Sequence, residues 1–273
     1  MRAKRQRSGQ KTAEFLATHP VFTVSEARAA FSPAAKGPAA LERVKYHLRR
    51  GRLKTVVRGV YATVPPGVDA GRYRPDRYLV AASVRPDAVF SHHSALELLG
   101  AGHSDWSVCT VLTRQRRPSF EAGGVTFQFL LAPPSLRGGR NRGLGLRQVD
   151  RTGRMLSVTG PERTLLDGFR QPRLIGGLPE LVESAMGFPV LDLALLERLL
   201  AVYDQRHLYG ATGWFLDQGR ERFAVPDRLL ARLEKLRPRS PQHLPRGGRR
   251  GGRLVARWNL ILPEAVISRR EVG

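Results

Sequence analysis

Between Pro38 and Val64 the chain reads PAALERVKYHLRRGRLKTVVRGVYATV, and this stretch constrains the fold more than any other. Proline suits a first helical turn and glycine the position just past a helix end, so Pro38 and Gly51 bracket a helix over Pro38–Arg50. On a helical wheel Leu41, Val44 and Leu48 share one face with Ala40 beside them. Ala39, Glu42, Arg43, Tyr46, Arg49 and Arg50 lie opposite, with Lys45 at the edge. Leu53–Val57 and Val60–Val64 are rich in β-branched residues and flank Arg58-Gly59, the signature of a tight hairpin. Upstream, Lys11–His19 has a helical pattern with Phe15 and Leu16 inward, and Pro20 stops it. Thr23-Val-Ser-Glu26 forms a capping box that opens a second helix, Val24–Phe31, with Ala27, Ala30 and Phe31 inward. Two short helices, a basic third helix and an Arg-Gly hairpin, in that order, predict a winged helix-turn-helix.

The chemistry of the third helix points to duplex DNA. An α-helix fits the major groove, and guanidinium groups there bind guanine edges bidentately or grip phosphates. Arg43 and Tyr46 are the expected base-edge readers, Arg49 and Arg50 the expected phosphate contacts, and Arg52, Lys54 and Arg58 the wing contacts. Lys36 and Lys45 complete the expected DNA-binding set. Residues 1–11 carry five basic groups and no acid, as would a solvated terminus or an arm lying along DNA.

Composition agrees with a polyanionic partner. Lys+Arg number 46 against 23 Asp+Glu, a formal charge of +23, which attracts polyanions through its field and counterion release. GC-rich coding can also produce Arg dominance, so charge alone carries less weight than the motif. An apolar share of 41% supports real cores. The single cysteine, Cys109, excludes an intramolecular disulfide and a Cys-based zinc cage, and its setting in WSVCTVL predicts a core residue. No apolar run reaches membrane-span length and no signal segment is recognisable, which predicts a cytoplasmic protein.

Residues 65–76, rich in Pro, Gly and polar groups, read as a linker. The expected organisation is a DNA-binding domain over 1–64, that linker, and a mixed α/β domain over 77–273, an α+β fold in total. In the second part Arg77–Val84 and Ser91–Leu99 read as helices. Trp106–Thr113, Val125–Leu131, Leu146–Arg151 and Met155–Val158 read as strands. Thr159-Gly-Pro-Glu162 reads as a second capping box opening Pro161–Phe169. Helices follow near Leu178–Met186, Asp192–Tyr203, His207–Leu216 and Pro226–Leu236, and Leu254–Leu262 resembles a closing strand. Arg237–Arg257 carries seven Arg and no acid.

Catalytic patterns are weak. His92, His93 and Glu97 could serve a DNA-targeted nuclease, but adjacent histidines leave a helix in different directions and no third ligand is identifiable. Arg163 and Asp167 fit an i,i+4 ion pair. Gly138-Gly-Arg-Asn-Arg-Gly143 lacks the Lys-Ser/Thr ending of a P-loop and reads as a loop adding to a DNA footprint. No catalytic residue, metal set or cofactor is expected. A protein-interaction scaffold using the wing is the other alternative.

Six pieces of the chain, FTVSEARAAF, RRGRLKTVVRGVYAT, YLVAASVRPDAVFSHHSALELLG, VTGPERTLLD, LYGATGWFL and RWNLILPE, occur in the order of the AbiEi family. The chain resembles these antitoxin-repressors of type IV toxin–antitoxin systems over most of its length. The resemblance implies an N-terminal winged helix that represses its own operon at an inverted repeat, joined to an α/β antitoxin domain. It also implies a functional partner, a nucleotidyltransferase-like toxin, and no catalytic residue. Thr55 and Val57 depart from the pattern, standing where the family's first wing strand often carries further basic groups.

Overall fold

The computed structural model describes residues 2–31, 39–245 and 252–267; the side chains of 2–9 and of Ala39 lie outside the description. The chain is α+β. It begins with helix α1 (Arg2–Thr18), strand β1 (Val21–Thr23), helices α2 (Val24–Phe31) and α3 (Ala39–Arg49), and strands β2 (Leu53–Val57) and β3 (Val60–Thr63). Among the described residues these strands form a three-stranded antiparallel sheet in the order β1-β3-β2. β1 is a departure from the sequence reading. Its three residues are too short to show a period of two, and only pairing to β3, Val21 opposite Ala62, makes them a strand. The basic segment 1–11, expected as a terminus or arm, is from Arg2 onward continuous with the helix after it, because α1 starts at Arg2.

The central layer is a mixed sheet of six strands in the order β6-β7-β5-β4-β9-β8. Helix α4 (Arg77–Val84) precedes β4 (Val89–Phe90), then α5 (His93–Leu98), β5 (Val108–Thr113), β6 (Phe120–Ala122), β7 (Val125–Leu131), α6 (Pro134–Arg137), β8 (Leu146–Arg151) and β9 (Arg154–Thr159). β5 runs parallel to β7 and β4 parallel to β9; the other neighbours are antiparallel. A helical layer follows: α7 (Pro161–Arg170), α8 (Leu178–Met186), α9 (Leu193–Tyr203), α10 (Arg206–Gln218) and α11 (Asp227–Leu236). The expected closing strand over Leu254–Leu262 is instead broken. β11 (Arg253–Val255) and β12 (Leu260–Leu262) pair antiparallel around a 3-10 turn, with β10 (Gln242–His243) parallel to β12, before a short α12 (Glu264–Ile267). The break lets Trp258 plug the helical core, where it packs so closely on α10 that a Cβ at Gly213 would collide with its ring.

The segment 65–76 is not a free tether. Lys54 Nζ donates to the carbonyls of Gly71 and Tyr73, each at 3.1 Å. Val21, Val60 and Ala62 share one apolar core with Leu79, Phe90 and Val111 of the central part. Arg154 bonds Ser83 Oγ and the Ala82 carbonyl and reaches Glu26 at 4.0 Å, a further tie between the two parts. Proline and glycine marked the turns here correctly, but composition carries no sign of a carbonyl pair fitted to a distant ammonium.

The second capping box does not form. The residue capping α7 is Gly160, without a side-chain cap, while Glu162 Oε1 accepts from the Asp192 N–H at 2.8 Å and Thr159 Oγ1 bonds Thr164 Oγ1 at 2.7 Å. Burial explains the diversion. Glu162 is fully enclosed, so its carboxylate takes the nearest unsatisfied donor, the start of α9.

Candidate nucleic-acid interface

The first capping box forms as expected: the Thr23 N–H donates to Glu26 Oε2 at 2.6 Å and the Glu26 N–H to Thr23 Oγ1 at 3.2 Å. It fixes the start of α2, whose Ala27 and Phe31 pack with Phe15, Phe22, Ala40, Val44 and Leu53 in a small core. α3 therefore buries Ala40 and Val44 and turns Glu42, Lys45, Tyr46, Arg49 and Arg50 outward. Its end is a Schellman motif. The Arg52 N–H donates to the His47 carbonyl and the Gly51 N–H to the Leu48 carbonyl, each at 3.0 Å, and Gly51 takes φ +66°. This motif turns the chain from α3 straight into β2, which fixes where Arg52 emerges.

The sequence-selected residues divide by what they already hold. Tyr46 is 47% exposed, with the Arg50 guanidinium over its ring at 5.5 Å. Arg49, Arg50, Arg52 and Arg58 are exposed. Lys45 is exposed but pairs with Glu42 at 2.8 Å. Arg43 is half-buried, and its Nη1 donates to the Phe31 carbonyl at 3.0 Å, fastening the end of α2 to α3. Lys54 is committed to the 65–76 segment as described above. Lys36 lies outside the described residues. Arg43 and Lys54 thus hold the frame, which neither the wheel nor the hairpin pattern could reveal because their acceptors come from other segments. The hairpin tip is also held: the Gly59 carbonyl accepts from the Val24 N–H at 3.0 Å, placing Arg58 beside the start of α2.

His92, His93 and Glu97 do not converge on an open site. Both histidines are buried. His93 Nε2 bonds the Ser104 carbonyl at 3.0 Å and lies 3.6 Å from Glu97, which also receives Tyr78 and Arg77. His92 has φ +54°, bonds Ser91 Oγ through Nδ1 at 2.9 Å, and faces the side of Asp167, Arg170 and Arg163. Their titrations diverge. Burial pushes His92 below its ordinary 6.5 and outweighs the opposing pull of Asp167. At His93 burial acts the same way, but the bond and charge of Glu97 overcome it and raise the ring above 6.5. His92 therefore contributes stability above pH 6.5 that fades as pH falls. His93 contributes stability below that pH that fades as pH rises through its raised value. Imidazole NMR at pH 6.5 is expected to find His92 mainly neutral and His93 mainly protonated; two rings titrating together at 6.5 would contradict both networks.

Cys109 is buried as expected, and burial pushes its thiol up to about 12, far from a reactive thiolate. Among the described residues no group of three or more His, Cys, Asp or Glu is placed to hold a metal ion. No helix among them is long and apolar enough to cross a membrane.

No protein-family model matches the chain, and no curated protein matches it in sequence. Its fold is similar to a crystal structure of the RV2827C protein from Mycobacterium tuberculosis, with a TM-score of 0.62 and 19% identity, covering 97% of this chain and 94% of that one. At this identity the likeness is one of fold, and it extends over nearly the whole length of both chains.

Proposed function

We propose that this chain is a DNA-binding transcriptional autorepressor whose N-terminal part is a winged helix-turn-helix. In this reading α3 enters the major groove and the β2–β3 hairpin is the wing. The observation that carries the proposal is the outward face of α3, where Tyr46, Arg49 and Arg50 are exposed beside Arg52, with no partner among the described residues outside α3 and its end, on a helix whose other face is locked into the core. The element order α1-β1-α2-α3-β2-β3, with β3 between β1 and β2, supports it. Tyr46 is the base-edge reader; Arg49, Arg50, Arg52 and Arg58 hold phosphates; Arg43 sets the angle of α3. The operator is an inverted repeat in the chain's own promoter, bound by two copies in the cytoplasm. The C-terminal part acts as antitoxin against a nucleotidyltransferase-like toxin, a role that rests on the AbiEi resemblance alone. The burial and separation of His92 and His93 favour this reading over the nuclease alternative.

The test is binding of the full chain to its own upstream duplex against a scrambled duplex of equal length. Preference of about 1000-fold at physiological salt is expected of a specific repressor, and equal affinity for both would refute it. Co-expression with the product of the adjacent gene tests the antitoxin role separately. Restored growth supports it, and unrelieved toxicity rejects it.

A further inference from the structure

A second basic feature lies away from α3. The C-terminal ends of β5 and β7, the start of β8 and the loop after α6 line an open cavity of about 430 Å³. Arg114, Arg137, Arg142 and Arg163 line it, and Asp87 is the sole acid among its lining residues. That carboxylate is already engaged: Arg85 Nε reaches Oδ1 at 2.8 Å, and the Arg114 N–H donates to Oδ2 at 3.1 Å. Arg163 is 2% exposed and comes from α7; its Nη1 donates to the Leu144 carbonyl at 3.2 Å, which ties the Gly/Arg loop to the cavity wall. Gly145 makes the approach possible, since a Cβ there would stand 3.0 Å from Arg163 Cβ, and its φ is +68°. Arg137 spends Nε and Nη2 on the Ala132 carbonyl, and Ser157 Oγ accepts from Gln148, which leaves the serine hydrogen available to donate.

Arg163 has its own anion in Asp167, at 3.7 Å, but the exposed guanidinium groups of Arg114, Arg137 and Arg142 gather in a concave site whose one carboxylate is already engaged; they leave a net positive field, and their planar forks match phosphate oxygens. The volume falls within the range of small-molecule sites, and apolar Val89, Leu112 and Leu136 line the same cavity. We propose that this cavity binds a small phosphate-bearing ligand, the phosphate held by Arg142, Arg114 and Arg137 over a base set by Arg163. Its volume and apolar lining fit a discrete ligand, and the phosphodiester backbone of a duplex carries the same phosphate chemistry. The inference is independent of the repressor reading, because none of these residues belongs to α3 or the hairpin.

The experiment is calorimetric titration of the full chain with inorganic pyrophosphate at constant ionic strength. Saturable binding is expected, weakened about tenfold or more by Arg142→Ala and by Arg114→Ala, both exposed positions whose loss leaves the core intact. Arg228→Ala, an exposed arginine on α11, is expected to leave it unchanged. Absence of heat up to about 5 mM pyrophosphate, or equal weakening by Arg228→Ala, would overturn the proposal, the latter because it would mark general attraction to a +23 chain. A duplex arm separates the sources. If a short duplex displaces pyrophosphate and Arg142→Ala weakens the duplex to the same degree, the cavity belongs to a nucleic-acid backbone and the small-ligand proposal fails. If displacement is absent, it stands.

Discussion

Replacing Arg49 and Arg50 together by alanine is expected to weaken binding to the chain's own upstream duplex about 10- to 100-fold at near-physiological salt, and to flatten the salt slope by roughly two. Both side chains are exposed and neither closes a tertiary contact. Arg49 reaches back to the Lys45 carbonyl within α3, and Arg50 lies over Tyr46. The thermal midpoint of the double variant should therefore match the parent. That separates a lost phosphate contact from a lost fold. Tyr46→Ala in the same assay is expected to act differently, narrowing the gap between operator and scrambled duplex more than it changes the salt slope, because a base-edge contact releases no counterion. Unchanged affinity and slope in the double variant would remove α3 from the interface. Arg43→Ala is a poor probe of recognition, since it also frees the Phe31 carbonyl and loosens α2 from α3.

Asp167→Ala is expected to be the most damaging single change to stability. Asp167 is 1% exposed, accepts from Tyr203 Oη at 2.7 Å and Arg170 Nη1 at 3.3 Å, and stands 3.7 Å from Arg163 Nε. Burial and Asp167 together raise the Tyr203 hydroxyl well above its ordinary value, which keeps it a neutral donor to the carboxylate. Truncation leaves the buried Arg163 without its anion and Tyr203 without its acceptor, a loss of about 3–5 kcal/mol in comparable buried pairs. Urea titration should show a lower midpoint at an unchanged m-value. Arg232→Ala, which breaks the exposed pair to Glu197, should leave the midpoint where it was. A fall of similar size in both variants would mean that burial of the Asp167 network is not what holds α7 to α9.

The long periodic elements were legible in advance. Arg77–Val84, Val125–Leu131, Leu146–Arg151 and Leu178–Met186 form over those same spans, because each carries a strong period or a clear stop within its own residues. Short strands were not: β1, β4, β6 and β10 are two or three residues long, too short to show a period, and β1, β4 and β10 are completed by partners far along the chain. The Leu254–Leu262 run shows the same limit from the other side. It looks like one strand locally, yet Asn259 takes φ +49° so that Trp258 can enter the core between two strands.

The residues of α2 and α3 determined by themselves where α2 starts, where α3 stops and which face of α3 is polar, while the expected start of α3 at Pro38 lies outside the described residues. Capping, proline and glycine effects act within a few residues, and an apolar stripe needs no partner to be read. Tertiary structure alone decided which polar side chains of α3 and the hairpin are committed to other segments. It assigned Arg43 to the Phe31 carbonyl and Lys54 to Gly71 and Tyr73, and left Tyr46, Arg49, Arg50, Arg52 and Arg58 facing outward. It also gathered Arg114, Arg137, Arg142 and Arg163 around one cavity from segments that share no motif. The reason is the reach of the interactions. Helix signals are local, whereas a guanidinium or ammonium is committed by whichever carbonyl or carboxylate the folded chain brings within about 3 Å.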